Sequence, residues 1–174
     1  MDELTELLIA ARDGDRLALA AFVRRTSPEV WRMCRHLVDE AEAEDVTQEV
    51  YLRAWRSLPR WRAESSARTW LLAITRNTCA EVVRRRRRRR RLAPAVDLPG
   101  VEPITPDPTG AVDLDELLGI LDPDQRAAFV LTQLLGLSYA VAAKVCDCPV
   151  GTIRSRVARS RGALIEQLAA ASSQ

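Results

Sequence analysis

The stretch GLSYAVAAKVCDCPVGTIRSRVARSR, residues 136–161, decides how the end of this chain folds. Its apolar residues recur at helical and not at strand spacing. A short helix over 138–146, a tight turn, and a helix from 149 or 150 to about 170 spell a helix-turn-helix. On the second helix Val150, Ile153, Val157, Leu164 and Leu168 form one apolar stripe, expected to face the core. Gly151, Thr152, Ser155, Ala158 and Arg159 lie opposite, with Arg154 and Arg156 on the flanks. Small residues allow close approach to DNA, and arginines reach guanine edges or phosphates, so this face suits the major groove. The alternative is a solvated arginine face.

Moving upstream, Asp122-Pro123-Asp124-Gln125 joins an N-cap, a first-position proline and a glutamine three after the cap. This predicts a helix that ends at Gly136, preceded by a helix over 112–120. Residues 92–111, LAPAVDLPGVEPITPDPTGA, hold five prolines, three acids and no base. Such a segment reads as an extended linker between domains at 1–91 and 112–174. The first domain reads as an α-helical bundle, with helices at 2–12, 15–25, 28–38 and from 41 to just before Pro59. A loop over 60–66 leads to a long helix from 67. No alternating run reaches strand length, so the fold class is all-α.

Charge is sorted along the chain although its formal net value is only +2. Residues 1–91 contain 20 Arg against 14 acids, including eight consecutive arginines at 84–91. Sorting of this kind costs self-repulsion and suggests surfaces aimed at oppositely charged partners. Residues 39–49, DEAEAEDVTQE, hold six acids and no base. Acids repel DNA, so this helix is expected to meet a basic protein surface, or else to be a solvated helix start. Asp45, Gln48, Glu49 and Arg53 share one stripe of it, and Val46, Val50, Ala54 and Leu58 form the apolar one.

On the helix from 67, Leu71, Thr75, Thr78, Cys79 and Val82 are expected inside. Trp70, Ala73, Asn77 and Arg84 line up outside. An aromatic face, an amide and a cation in one row suit unstacked bases. Trp61 and Ser65-Ser66, in the loop before, would wall a pocket; the two tryptophans read equally well as core. The arginine tract tracks phosphates without reading sequence.

Other functions are disfavoured. Cys34, Cys79, Cys146 and Cys148 lack zinc-site spacing, and with the single histidine, His36, they are expected to be structural. No metal or other cofactor is expected. No glycine-rich phosphate loop or nucleophile motif appears, so the chain reads as no enzyme. No stretch is long and apolar enough to span a membrane, and the acidic start is unlike a signal peptide, so a cytoplasmic protein is expected.

AEDVTQEVYLRAW (43–55), RWRAESSARTWLLAITRNT (60–78) and the 136–161 stretch together resemble the extracytoplasmic-function sigma factors of bacterial RNA polymerase. The resemblance implies that Asp45, Gln48, Glu49 and Arg53 dock on the beta-prime clamp helices of core RNA polymerase. Through it, the 60–66 loop with Ala63, Asn77 and Trp70 would capture and open the -10 element of promoter DNA. Thr152, Arg154, Ser155, Ala158 and Arg159 would lie on the helix that reads the -35 element. The linker would thread toward the polymerase active centre and RNA exit path, contacting the beta subunit. An anti-sigma factor, or packing of the two domains on each other, would hold the protein off. The family often has F-R-G-E where this chain has Trp61-Arg62-Ala63-Glu64, and Gly where it has Asp147. Val141 and Ala142 replace the family's acids and leave a surface suited to another domain or an inhibitor. Competing readings are a stand-alone helix-turn-helix regulator and an Arg-rich RNA-binding protein.

Overall fold

The computed structural model describes residues 2–92 and 114–171. Among these the secondary structure is helical. In the first half α1 (Glu3–Arg12), α2 (Arg16–Leu37), α3 (Glu40–Ser57) and α4 (Ala67–Leu92) form a bundle. Asp2, Asp15 and Asp39 cap the first three, each accepting backbone N–H groups of the first turn.

The helices expected at 15–25 and 28–38 are one. Pro28 sits inside α2 without breaking it. A proline inside a helix costs about 3 kcal/mol. Phe22, Val30, Met33 and Leu37 all bury on one face of the continuous helix, and each is worth roughly 1.5–3 kcal/mol. The burial outweighs the missing hydrogen bond. Thr26 Oγ1 donates to Phe22 O at 2.8 Å and meets the Tyr51 hydroxyl at 2.7 Å, tying this part of α2 to α3.

The second half holds α5 (Leu114–Gly119), α6 (Pro123–Phe129), a π turn (Val130–Leu134), α7 (Tyr139–Cys146) and α8 (Val150–Ala171). Asp122 caps α6 by accepting from Asp124 N and Gln125 N. The helix loosens into the π turn, where Leu135 N reaches Val130 O, before Gly136 reverses the chain at φ +68. Ser138 caps α7, and Asp147 ends it in the left-handed conformation at φ 50. That is the position where the resembling family often has glycine. The helix-turn-helix is therefore α7, the turn at 147–149, and α8.

The inward stripe of α8 differs from the expected one. Ile153, Val157, Ser160 and Leu164 are buried, while Val150 and Leu168 are exposed. A stripe is drawn at fixed spacing, but the neighbouring helices bury α8 only between Ile153 and Leu164. Ser160 is admitted because its hydroxyl donates to Arg156 O at 2.9 Å.

The two halves are in contact. α7 packs on α4, and α6 with the π turn packs on α2, so one continuous hydrophobic cluster runs through both. Ala142 is buried and Val141 half-buried, on a helix that packs both on α8 and on α4 of the other half. The linker expected at 92–111 lies, apart from Leu92, outside the described residues.

Candidate nucleic-acid interface

The N-terminal turn of α8 stands on the α6–α7 platform with its outer face clear. Arg154, Ser155, Ala158 and Arg159 are exposed, and Thr152 is half-buried. Ser155 Oγ donates to Thr152 O at 3.0 Å, which satisfies the hydroxyl locally. Beside them Arg156 turns inward: its Nη2 donates to Asp124 Oδ2 at 2.7 Å. Among the described residues Arg154 and Arg159 join no ion pair, so the row offers two guanidinium groups with small residues between them. That is the geometry a helix needs in a major groove.

On α4 the predicted row separates by depth. Asn77 and Arg84 are exposed, while Trp70 and Ala73 are half-buried. Trp61 is not a pocket wall facing solvent. It is buried, its indole Nε1 has no hydrogen-bond partner, and its ring backs Trp70 with centroids 5.6 Å apart. The outer ring, Trp70, is half-buried and lines an apolar groove together with Tyr51, Leu52 and Trp55. Ala63 is exposed at φ 56, in the left-handed region, which explains why a glycine is usual there. Ser66 uses its hydroxyl as the start of α4, accepting from Thr69 N at 3.2 Å. Ser65 is half-buried beside it.

The acidic stripe of α3 divides between two grooves. Asp45, Glu49 and Arg53 line a groove of about 550 Å³ between α3 and the arginine extension of α4. Arg53 donates to Glu49 Oε1 at 2.7 Å and to Glu81 Oε2 at 2.7 Å. The Arg53 guanidinium holds the Glu49 carboxyl below its ordinary range, and Glu49 in turn raises Arg53. Gln48 lies instead with Tyr51, Leu52 and Trp55 on an apolar groove of about 400 Å³ against α1 and α2. Leu52 and Trp55, each about half exposed, escaped the sequence reading. Their signal was the break in helical period: an apolar pair on the stripe that also carries Gln48.

One carboxylate joins α4 and α8. Asp124, at the start of α6, accepts from Arg76 Nη2 on α4 at 2.8 Å and from Arg156 Nη2 on α8 at 2.7 Å. Arg76 also donates to the Asn77 carboxamide oxygen at 3.1 Å. The guanidinium neighbouring the candidate base-reading amide is thus committed to the other half of the molecule. Nearby, His36 Nδ1 meets Asp115 Oδ1 at 2.7 Å, which adds a second polar tie across the halves.

Three of the four cysteines serve the core, and Cys148 is half-buried. Cys34 and Cys79 are buried with their sulfurs 3.8 Å apart, and Cys146 is buried at the end of α7. Among the described residues no group of His, Cys, Asp and Glu is placed to hold a metal ion.

The sigma-70 region 2 profile matches residues 22–89, and the sigma-70 region 4 profile matches residues 111–164. The chain belongs to the extracytoplasmic-function (ECF) sigma factors. It is 47% identical over 167 residues to the ECF RNA polymerase sigma factor SigC of Mycobacterium tuberculosis, covering 94% of this chain and 90% of that one. It is 32% identical over 182 residues to the ECF RNA polymerase sigma-E factor of Escherichia coli, covering 94% of each. Among solved structures it resembles the sigma factor RpoE of Bartonella quintana in complex with the anti-sigma factor NepR. There the TM-score is 0.70 with 32% identity, over 86% of this chain and 96% of that one. CnrH in complex with the cytosolic domain of CnrY shares the fold, with a TM-score of 0.74 and 24% identity over 97% and 99% of the chains. ECF sigma factors bind core RNA polymerase and promoter DNA and act by recognition, without chemistry of their own. Among the described residues no helix is long and apolar enough to cross a membrane.

Proposed function

We propose that residues 1–91 bind core polymerase and open the -10 element, and that residues 112–174 read the -35 element, joined through the linker at 92–111. α3 docks on the beta-prime clamp helices through Asp45, Gln48, Glu49 and Arg53, with Leu52 and Trp55 as an apolar anchor beside them. Trp70 and Asn77 hold an unpaired -10 base, and the 61–66 loop shapes its pocket. Arg154 and Arg159 read the -35 duplex, with Thr152, Ser155 and Ala158 allowing close approach. Trapping unpaired bases stabilises the melted state, so initiation proceeds by binding energy alone. The protein works in the cytoplasm, where the polymerase is.

Two routes of control are open to it. An anti-sigma factor is one, supported by the complex in which the Bartonella relative was solved. Closure of the protein's own halves is the other, and it rests on the Asp124 bridge. The outer faces at Asn77 and at Arg154 and Arg159 stay exposed. Closure therefore acts by fixing the distance between the two reading helices and by occupying Arg76 and Arg156, rather than by covering both faces.

The observation that carries the functional reading is the pairing of two outward nucleic-acid faces, on α4 and α8, with an acidic and apolar docking helix in one chain. A stand-alone regulator has no use for the last. Run-off transcription with purified core polymerase on a library of genomic fragments tests it. New start sites sharing two spaced elements are expected. Binding to a duplex site without core, and no new starts in a reaction where an established sigma factor is active, would overturn it.

A further inference from the structure

The eight arginines at 84–91 form one helix with Asn77, and helix geometry divides them. At about 100° per residue, α4 has three faces. Arg85, Arg86, Arg89 and Arg90 line the groove against the acids of α3, where Arg86 Nη1 meets Asp39 Oδ2 at 2.6 Å. Arg76, Cys79, Ala80 and Val83 face α6. The third face carries Asn77, Arg84, Arg88 and Arg91, all exposed, with the exposed Arg87 between this face and the one toward α6. Among the described residues none of Arg84, Arg88 and Arg91 joins an ion pair.

We infer that Arg84, Arg88 and Arg91 form a phosphate track that grips duplex DNA adjoining the opened -10 stretch. This rests on the reading of Asn77 as a contact to the opened strand. The arrangement argues for duplex DNA in three ways. The row starts on the face that carries the candidate base-reading amide. From Asn77 to Arg91 it runs about 21 Å at 1.5 Å per residue, the rise of about six base pairs. Arg84, Arg88 and Arg91 lie outside the groove that the acids of α3 line, and eight adjacent like charges on one helix are costly without a polyanion to meet them. On the α3 side Arg86 pairs with Asp39 and Glu42, whereas the outward three line no groove against α3.

The test uses the full chain and a short fluorescent duplex of random sequence, with affinity followed by anisotropy across salt concentration. Neither polymerase nor a promoter is needed, so the result stands apart from the run-off experiment and from substitution of Asn77. The variant Arg84→Gln/Arg88→Gln/Arg91→Gln keeps helix propensity, and circular dichroism checks that α4 persists. Arg85→Gln/Arg89→Gln/Arg90→Gln is the control. Each phosphate contact contributes about 0.9 to the slope of log affinity against log salt. The outward variant is expected to lower that slope by close to three. Its affinity then falls about 40-fold less than the parent's between 50 and 200 mM salt. The control is expected to lower the slope by less than one. Equal losses from both variants, or an unchanged slope in the outward one, would overturn the track. Tighter binding of a single-stranded RNA of equal length would overturn its assignment to duplex DNA.

Discussion

At the scale of single residues, two backbone positions carry side chains where the chain bends left-handed. Ala63 stands at φ 56 and Asp147 at φ 50. A left-handed residue with a Cβ costs roughly 1–2 kcal/mol, and Asp is tolerated better than most. Ala63→Gly is therefore expected to stabilise the protein by up to about 1 kcal/mol, part of the relief being lost to the greater freedom of glycine in the unfolded chain. For a chain of this length that is a rise in melting temperature of about 2–4 °C. Asp147→Val is expected to lower the melting temperature, since a β-branched residue fits this region worst. Differential scanning calorimetry reads both; a lower melting point for Ala63→Gly would refute the strain at that loop. Trp61 shows the same economy in reverse. Its buried indole N–H has no partner, a cost that a phenylalanine would not carry.

At the scale of elements, α8 separates folding from reading on opposite faces. Ile153 is fully buried, and Arg154, next to it, is exposed. Ile153→Ala is expected to cost about 2–5 kcal/mol of stability. Arg154→Ala is expected to change stability by no more than about 0.5 kcal/mol and to weaken promoter binding by about 1–3 kcal/mol. Melting curves alongside holoenzyme binding to a selected promoter separate the two, and loss of stability in Arg154→Ala would count against a free reading face. The start of α6 is equally local. Asp122 accepts from two N–H groups, so Asp122→Ala is expected to cost about 1 kcal/mol.

At the scale of the molecule, the seam between the halves is the unit that responds. The Asp124 side chain is about half exposed, so each of its ion pairs is worth only about 0–1 kcal/mol. Asp124→Ala is therefore expected to shift the closed form toward an open one by a few-fold without unfolding either half. Small-angle scattering would show a larger radius of gyration, and promoter binding would tighten; an unchanged radius with unchanged binding would refute closure as a control. Alkaline pH probes the whole fold. Burial raises the Cys146 thiol from 9.0 to about 11 and the Tyr51 hydroxyl from 10.0 to about 12. Both are neutral when protonated, and the folded state holds the proton longer than the unfolded one. Their contribution is complete below pH 9 and falls as pH rises, through Cys146 between 9 and 11 and Tyr51 between 10 and 12. The fall is at most about 1.4 kcal/mol per pH unit for each group. Urea titrations at pH 8, 9, 10 and 11 should show it, with the loss between 9 and 10 reduced in Cys146→Ala and the remainder belonging to the buried Cys79, whose thiol the Cys34 contact and burial also push up.

The sequence by itself determined what depends on near neighbours. The cap at Asp122, the left-handed end of α7 at Asp147, the outward row on α8 and the apolar stripe of α3 all follow from residues within a turn or two, because propensity, capping and helical period act over that range. What lies between distant segments was decided by the tertiary structure. Whether Trp61 or Trp70 faced outward depended on how the loop folds back on α1 and α4. Whether Pro28 divided α2 depended on the face that α3 and α4 bury. Arg76 and Arg156 meet Asp124 across 48 and 32 residues, and no local preference encodes such a meeting. It exists because the apolar sides of α6 and α7 bury against α2 and α4 and bring those three side chains into reach.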